Sequence, residues 1–472
     1  MIAKEEHTPK TSAISRENKM GTMPIGKLLA NMSIPMMFSM LVQALYNIVD
    51  SAYVAQLNQD ALNAVSLAFS LQSLMIAVGE GTGVGVNALL SHSLGKKRQD
   101  LADTAANTGI FLFLCSALAF SAVGLLFARP YYLMLTDISA IVNYGTDYIM
   151  ICLGLSFGFF FQSCFERLLL STGRTRLAMA STIFGCVVNI ILDPILIFGL
   201  LGLPRLEVAG AALATVIGQA CAAVFALIMN IRTNPDINLS LRKIRPNRQV
   251  IVEIYRVSIP SIVMRSIVTI MTFGMNKILI AFTDTATAVF GVYYKLNSFV
   301  YMPCFGLNFG LVPIFAYNFG AGRLDRIKRT LILGVRTTMS IMIFGFLVFE
   351  AFPAQLLALF NASEEMLRIG VPALRIIAIH FPMAAFNMIV QYFCQACGRP
   401  RYSMIVSISR QLVVLLPAAW LLAQTGDLTL IWLSFPISDV SAVIVNIMFL
   451  RWTLKHVEET IATQKMEGPR QS

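Results

Sequence analysis

Two acidic side chains stand inside runs of sequence that are otherwise apolar. Asp50 lies in QALYNIVDSAYVAQL, and Asp193 lies in VNIILDPILIFG, where Pro194 follows at once. Helical spacing gathers other polar groups around each. Gln43, Asn47 and Asp50 fall at i, i+4 and i+7, and Asn189 and Asp193 at i and i+4, so each set forms one polar stripe on its helix. Pro194 has no N–H, which takes the usual helical donor away from the Ile190 carbonyl beside the second stripe. Carboxylates, amide oxygens and a freed carbonyl are ligands that a hard cation such as Na⁺ accepts, and a buried carboxylate pair equally holds a shared proton. The plainer alternative is that each Asp hydrogen-bonds a neighbouring helix.

The segments that carry these stripes read as membrane spans. Of 472 residues, 57% are apolar and only 13% charged, and the mean hydropathy is +0.71, which predicts an all-α polytopic membrane protein. Twelve apolar stretches, from 28–56 to 429–450, are each long enough to cross a hydrocarbon core of about 30 Å as a helix. Asp50 falls on the first span, and Asn189 and Asp193 on the fifth, 177–201. A charge near the middle of a lipid-facing span costs ~2.5–3.5 kcal/mol, so two unpaired acids would cost roughly 5–7 kcal/mol. They must face protein, water or a cation.

The net charge of +11 is an orientation signal rather than a nucleic-acid signal. Of the 36 Lys and Arg, 25 lie in the two tails and in alternate turns, among them GKKRQD (95–100), GRTR (173–176), RKIRPNR in the 232–248 linker, GRLDRIKR (322–329) and GRPR (398–401). The other set of turns holds only Arg129 and Arg205. That bias predicts both termini in the cytoplasm, an even number of spans and a multi-pass membrane protein. The first 26 residues carry neither a short apolar region nor a small-residue cleavage site, so no removable signal peptide is expected. All eight cysteines fall within predicted spans or, for Cys397, one residue past the end of one, which argues against a disulfide framework. Cys394 and Cys397 read as small packing residues rather than a redox or zinc pair.

The chain also matches itself at an offset of 225 residues. SIP at 33–35 returns at 258–260; Gly81, Gly85 and Gly95 return as Gly306, Gly310 and Gly320; and Gly173-Arg174 returns as Gly398-Arg399. A six-helix unit has been duplicated. The predicted organisation is an N-terminal tail (1–27), an N-lobe of helices 1–6 (28–231), a cytoplasmic linker (232–249), a C-lobe of helices 7–12 (250–450) and a C-terminal tail (451–472). Six is even, so the copies enter from the same side, with a cleft between two bundles that can rock.

The acids do not recur in the second copy: Asp50 aligns with Met275, Asn189 with Val414 and Asp193 with Ala418. The second half carries bases instead, at Arg265, Lys277, Lys295 and Arg375, with His380 nearby. Lys295 could line the cleft, pair with an acid across the halves, or snorkel; Glu80, in GEGTGVG, is a further cleft-lining candidate. The 24 Met and 32 Phe suit a soft interior that accepts ligands of varied shape, and packing against lipid explains them equally.

IP…YNIVDSAYVAQL, NIILDPILIFG and GLNFGLVPIFAYNFGAGRLDRIK (306–328) resemble the multidrug and toxic compound extrusion (MATE) family, in particular its MepA-like branch, over about residues 20–455. The resemblance implies a MATE-like fold of two six-helix lobes and alternating access. It further implies an antiporter that exports amphipathic, often cationic drugs against H⁺ or Na⁺, hence a role in antibiotic resistance. It places the coupling site in the N-lobe on Asp50, Asn189 and Asp193, with Thr215 as a fourth member, and the bend-forming proline of helix one on Pro35. If Na⁺ is the coupling ion, Asp50, Asn189 and Asp193 are its ligands. No acid lies past the start of span ten, which leaves a C-lobe cation site in doubt. A flippase for lipid-linked saccharides or peptidoglycan precursor, from the same superfamily, is the rival; Lys277 and Lys295 are its hints. No HExxH, GxSxG, acid–base His cluster or P-loop is present, so no enzyme activity and no cofactor are expected. The expected partners are the lipid bilayer and small-molecule substrates, with no nucleic acid, and the expected state is a monomer.

Overall fold

In hydrocarbon, backbone N–H and C=O groups find partners only within helices or closed barrels, and the apolar runs of this chain fold as helices. The computed structural model describes residues 18–240 and 244–467; the far N-terminal tail, residues 241–243 of the basic linker and residues 468–472 lie outside the described residues. The first half comprises α1 (Lys19–Thr22), α2 (Ile25–Ala55), α3 (Gln59–Gly95), α4 (Gln99–Leu133), α5 (Ser139–Gly154), α6 (Phe157–Ser171), α7 (Thr175–Phe198) and α8 (Glu207–Thr233). The second half begins with α9 (Arg248–Ile280), α10 (Asp284–Gly320), α11 (Leu324–Ala351) and the short α12 (Pro353–Ala358). It continues through α13 (Glu364–Ala378), α14 (Phe381–Ala396), α15 (Pro400–Ile408), a π-turn (Ser409–Leu415), α16 (Leu416–Ala423), α17 (Leu428–Ile431) and α18 (Ser434–Glu467).

Among the described residues ten helical stretches are long and apolar enough to cross a membrane, and two bent pairs bring the number to twelve if each pair is one span. The pairs are α5–α6, bent by 40°, and α13–α14, bent by 46°, where the sequence predicts the single spans 140–170 and 366–396. Both breaks are accommodated locally. Pro382 sits in the first turn of α14, where its missing N–H does no harm. At the other break α4 takes up freed groups: Ser121 donates to the Gly154 carbonyl, and Ser156 donates to the Ala117 carbonyl at 3.1 Å. Pro35 leaves α2 unbroken. The Asn31 carbonyl that it frees accepts from Thr175 Oγ1 at 3.1 Å, which fastens α2 to α7.

Among the described residues one buried apolar cluster fills the first half and takes in Val250, Ile254 and Phe309 of the second; another lies within the second half with a small satellite at Val406, Ala442 and Phe449; a further one joins α1 and α2 to α10, α11, α14 and α18. Each half therefore has its own core, and a shared core lies at the end that carries the basic turns and the described ends of both termini, here called the basic end. The halves meet through the recurring glycines. Gly95 packs on the Tyr317 carbonyl and Gly320 on the His92 carbonyl, which is one contact made twice at the repeat offset. Ser33 donates to the Leu307 carbonyl at 3.2 Å, and Ser258 to the Thr82 carbonyl at 3.4 Å, again one contact in two copies. These approaches all fall in the basic halves of α2, α3, α9 and α10. Beyond them, Ile48, Phe69, Phe273 and Phe299 are exposed on the same four helices.

Candidate functional site

The two stripes predicted from helical spacing come from α2 and α7, and α8 completes the group. Asp193 is fully buried and Asn189 nearly so. Asn189 Nδ2 lies 3.3 Å from Asp193 Oδ1 and 3.3 Å from Thr215 Oγ1 on α8. Turning the amide over lets its nitrogen donate to Asp193 Oδ2 at 3.2 Å while its oxygen accepts the Thr215 backbone N–H at 3.1 Å. Asn189 is thus the hinge of the set in either orientation. Asp50, on α2, lies within electrostatic reach of Asp193, and Tyr46, one turn before Asp50, within reach of both acids. Asp50 Oδ1 is buried without a hydrogen-bond donor, and a buried acceptor in that condition is costly. No arginine or lysine is paired with either acid among the described residues. The site is an oxygen-rich, acidic cluster, and its carboxylate, amide and hydroxyl oxygens fit a hard cation or a proton. Gln43 is half-buried and Asn47 exposed further along α2; Pro194 lies inside α7 beside Asp193.

Glu80 has a different setting. Its carboxylate is gripped by Arg167 of α6, which is nearly fully buried and stacks 4.2 Å from the Phe309 ring, and Arg265 of α9 approaches Glu80 Oε2 at 3.5 Å. Arg265, not Lys295, pairs with an acid of the other half among the described residues. Lys295 is exposed, has no ion pair among the described residues, and holds its ammonium 5.8 Å from the Phe360 ring. Lys277 is likewise exposed over Phe273 of its own helix, and Arg375 pairs with Glu350 at 3.7 Å.

The second half contains a buried acid that reading the sequence did not single out. Asp439 of α18, 1% exposed, accepts from Arg410 Nη1 at 3.1 Å on each oxygen and from Asn387 Nδ2 at 2.9 Å, and lies 2.9 Å from His380 Nδ1. His380 Nε2 is 3.1 Å from the Tyr293 hydroxyl, and Asn446 donates to Asn387 at 2.8 Å. The π-turn carries Arg410, and His380 sits in the α13–α14 break. The halves therefore differ in kind: the first leaves Asp50 and Asp193 without a counter-charge, and the second supplies Asp439 with an internal one. The signal was available, since Asp439 in SFPISDVSAV and Arg410 in SISRQLVV are lone charges that the repeat aligns with Ala214 and Gly185.

A protein-family model for MatE matches the chain twice, over residues 35–195 and again over 260–421. This chain belongs to the MatE family. Among MatE relatives, the multidrug export protein MepA of Staphylococcus haemolyticus is 26% identical over 435 residues, which cover 92% of this chain and 94% of MepA. A protein named FAD transporter from Shewanella oneidensis is 25% identical over 420 residues, 88% of this chain and 92% of that one. A solved structure described as the outward-facing conformation of a multidrug resistance MATE family transporter of the MOP superfamily shares the fold. Its TM-score is 0.88 at 23% identity, covering 94% of this chain and 99% of that one. The predicted resemblance to the MepA-like branch and the all-helical membrane fold are both borne out.

Proposed function

We propose that this MatE protein is a multidrug efflux antiporter that exports amphipathic, often cationic compounds against inward H⁺ or Na⁺. Asp50, Asn189, Asp193 and Thr215 form its coupling site. The observation that carries the reading is the charge imbalance between the lobes: among the described residues Asp50 and Asp193 have no counter-charge, and Asp50 Oδ1 has no donor. The repeat supports two lobes at the predicted boundaries, and the distribution of basic residues supports a cytoplasmic basic end. Two neighbouring carboxylates repel across the α2–α7 contact. A proton or Na⁺ on the pair removes that repulsion, changes how α2 packs on α7, and biases the rocking equilibrium between a cleft open to one face and to the other. Close contact between the lobes at the basic end corresponds to the state closed toward the cytoplasm. Asp193→Asn is expected to abolish gradient-driven efflux while leaving the protein folded; coupled efflux at the wild-type rate in this variant would refute the assignment.

Arg265, a third exposed beside Glu80, and a relative named FAD transporter favour a second reading, export of an anionic nucleotide-like compound. Competition of dye efflux by flavin nucleotide, with none by cationic dyes, would select it.

A further inference from the structure

The segment before the first membrane helix crosses from one lobe to the other and is held on both. On the first lobe, Asn18 Nδ2 donates to the Thr172 carbonyl at 3.0 Å and reaches Asp236 of the linker, and Lys19 Nζ donates to Asn31 Oδ1 at 2.7 Å. On the second lobe, α10 and α11 grip the segment by its backbone carbonyls. Asn318 Nδ2 and Arg326 Nη2 donate to the Met20 carbonyl at 3.2 and 2.9 Å, Arg323 donates to the Gly21 carbonyl, and Arg326 Nη2 donates to the Met23 carbonyl at 2.8 Å. Arg326 Nε is fixed by Asn318 Oδ1 at 2.9 Å, and the Met20 side chain is fully buried in the core shared by the lobes.

Two features separate this contact from ordinary packing. The glycine and serine contacts between the lobes occur in symmetric pairs, whereas among the described residues no first-lobe arginine donates to a carbonyl of 244–248, at the repeat offset from this segment. It also holds cations beside cations: burial, then Arg174 and Arg176, keep the Lys19 ammonium below the ordinary lysine range. A bridge made of main-chain carbonyls on arginine forks is directional and breaks as a unit when the lobes separate.

We propose that residues 18–23 are a releasable latch, an internal ligand of the Asn318–Arg323–Arg326 site, which holds the lobes together at the basic end and must leave that site before the end can open. The inference rests on the alternating-access reading of the protein.

The test uses the full chain in proteoliposomes. Met23→Cys and Arg326→Cys, joined by a short cleavable bis-maleimide, replace the carbonyl–arginine contact with a covalent one. Dye transport is expected to fall at least tenfold on linking and to return on cleavage, which excludes misfolding, and each single variant given the same reagent should be unaffected. Linked protein that transports within twofold of cleaved protein would overturn the latch. In a second arm, His92→Cys reports exposure of the basic-end crossing. Arg326→Ala is expected to raise its maleimide labelling rate at least fivefold, and an unchanged rate would overturn the latch. If wild-type vesicles carry no substrate at all, the transport reading fails, and the labelling arm still decides whether the segment holds the lobes together.

Discussion

Replacing Asp439 by Asn tests whether the second lobe is held by an internal ion pair rather than by packing alone. Removing one partner of a buried pair leaves the other charge uncompensated, at about 3–5 kcal/mol. The Arg410 side chain is 24% exposed, so water screens it, and Asp439→Asn should lose about 2–4 kcal/mol. Arg410→Met should cost more, about 3–5 kcal/mol, because the orphaned carboxylate is 1% exposed. The double variant removes both charges, and the carbonyl oxygen of the amide introduced at position 439 still accepts from Asn387 while its NH2 faces His380 Nδ1, so only about 1–2 kcal/mol is lost. Equilibrium unfolding in mixed micelles, run as a double-mutant cycle, should give a coupling of at least about 3 kcal/mol. A double variant whose loss equals the sum of the single losses within about 0.5 kcal/mol would refute the pair as the organising contact.

Other outcomes follow from the interfaces. A methyl group at Gly320 would overlap the His92 carbonyl oxygen, and overpacking costs about 1–3 kcal/mol. If the basic end opens in the proposed alternating access, that clash is relieved, so Gly320→Ala should shift the lobe equilibrium toward opening by about 5- to 150-fold, read as interlobe distances between spin labels; an unchanged distribution would contradict the symmetric crossing. Glu80→Gln strands the buried Arg167 and should destabilise by about 2–4 kcal/mol, measured by the same unfolding titration. Thr215→Ala removes one hydroxyl from the Asn189 set and should weaken coupling by a few-fold without abolishing it; efflux rate against the imposed gradient measures this.

What the sequence made legible follows from where each group's partners lie. Asn189 and Asp193 are one helical turn apart, so their grouping is local and could be read directly. The glycine recurrences were visible as a repeat, but that they mark crossings between the lobes required both helices in space. The Asp439 cluster draws on α10, the α13–α14 break, the π-turn and α18, and no spacing within one span reveals a set whose members lie in four. The same holds for Arg167, which sits beside Glu166 in an apolar run and finds Glu80 across 87 residues. Neither helix bend was evident from span lengths, because a bent pair and a straight helix bury similar apolar runs.

We propose that coupling rests on Asp50 and Asp193, two neighbouring N-lobe carboxylates with no basic partner among the described residues. The most direct measurement is efflux of a fluorescent cationic dye from proteoliposomes, with pH and Na⁺ gradients imposed separately, for wild type and Asp193→Asn. One of the two gradients should drive efflux in the wild type, and neither should do so in Asp193→Asn, which should still equilibrate dye down its own gradient. Gradient-driven efflux at the wild-type rate in Asp193→Asn would contradict the assignment.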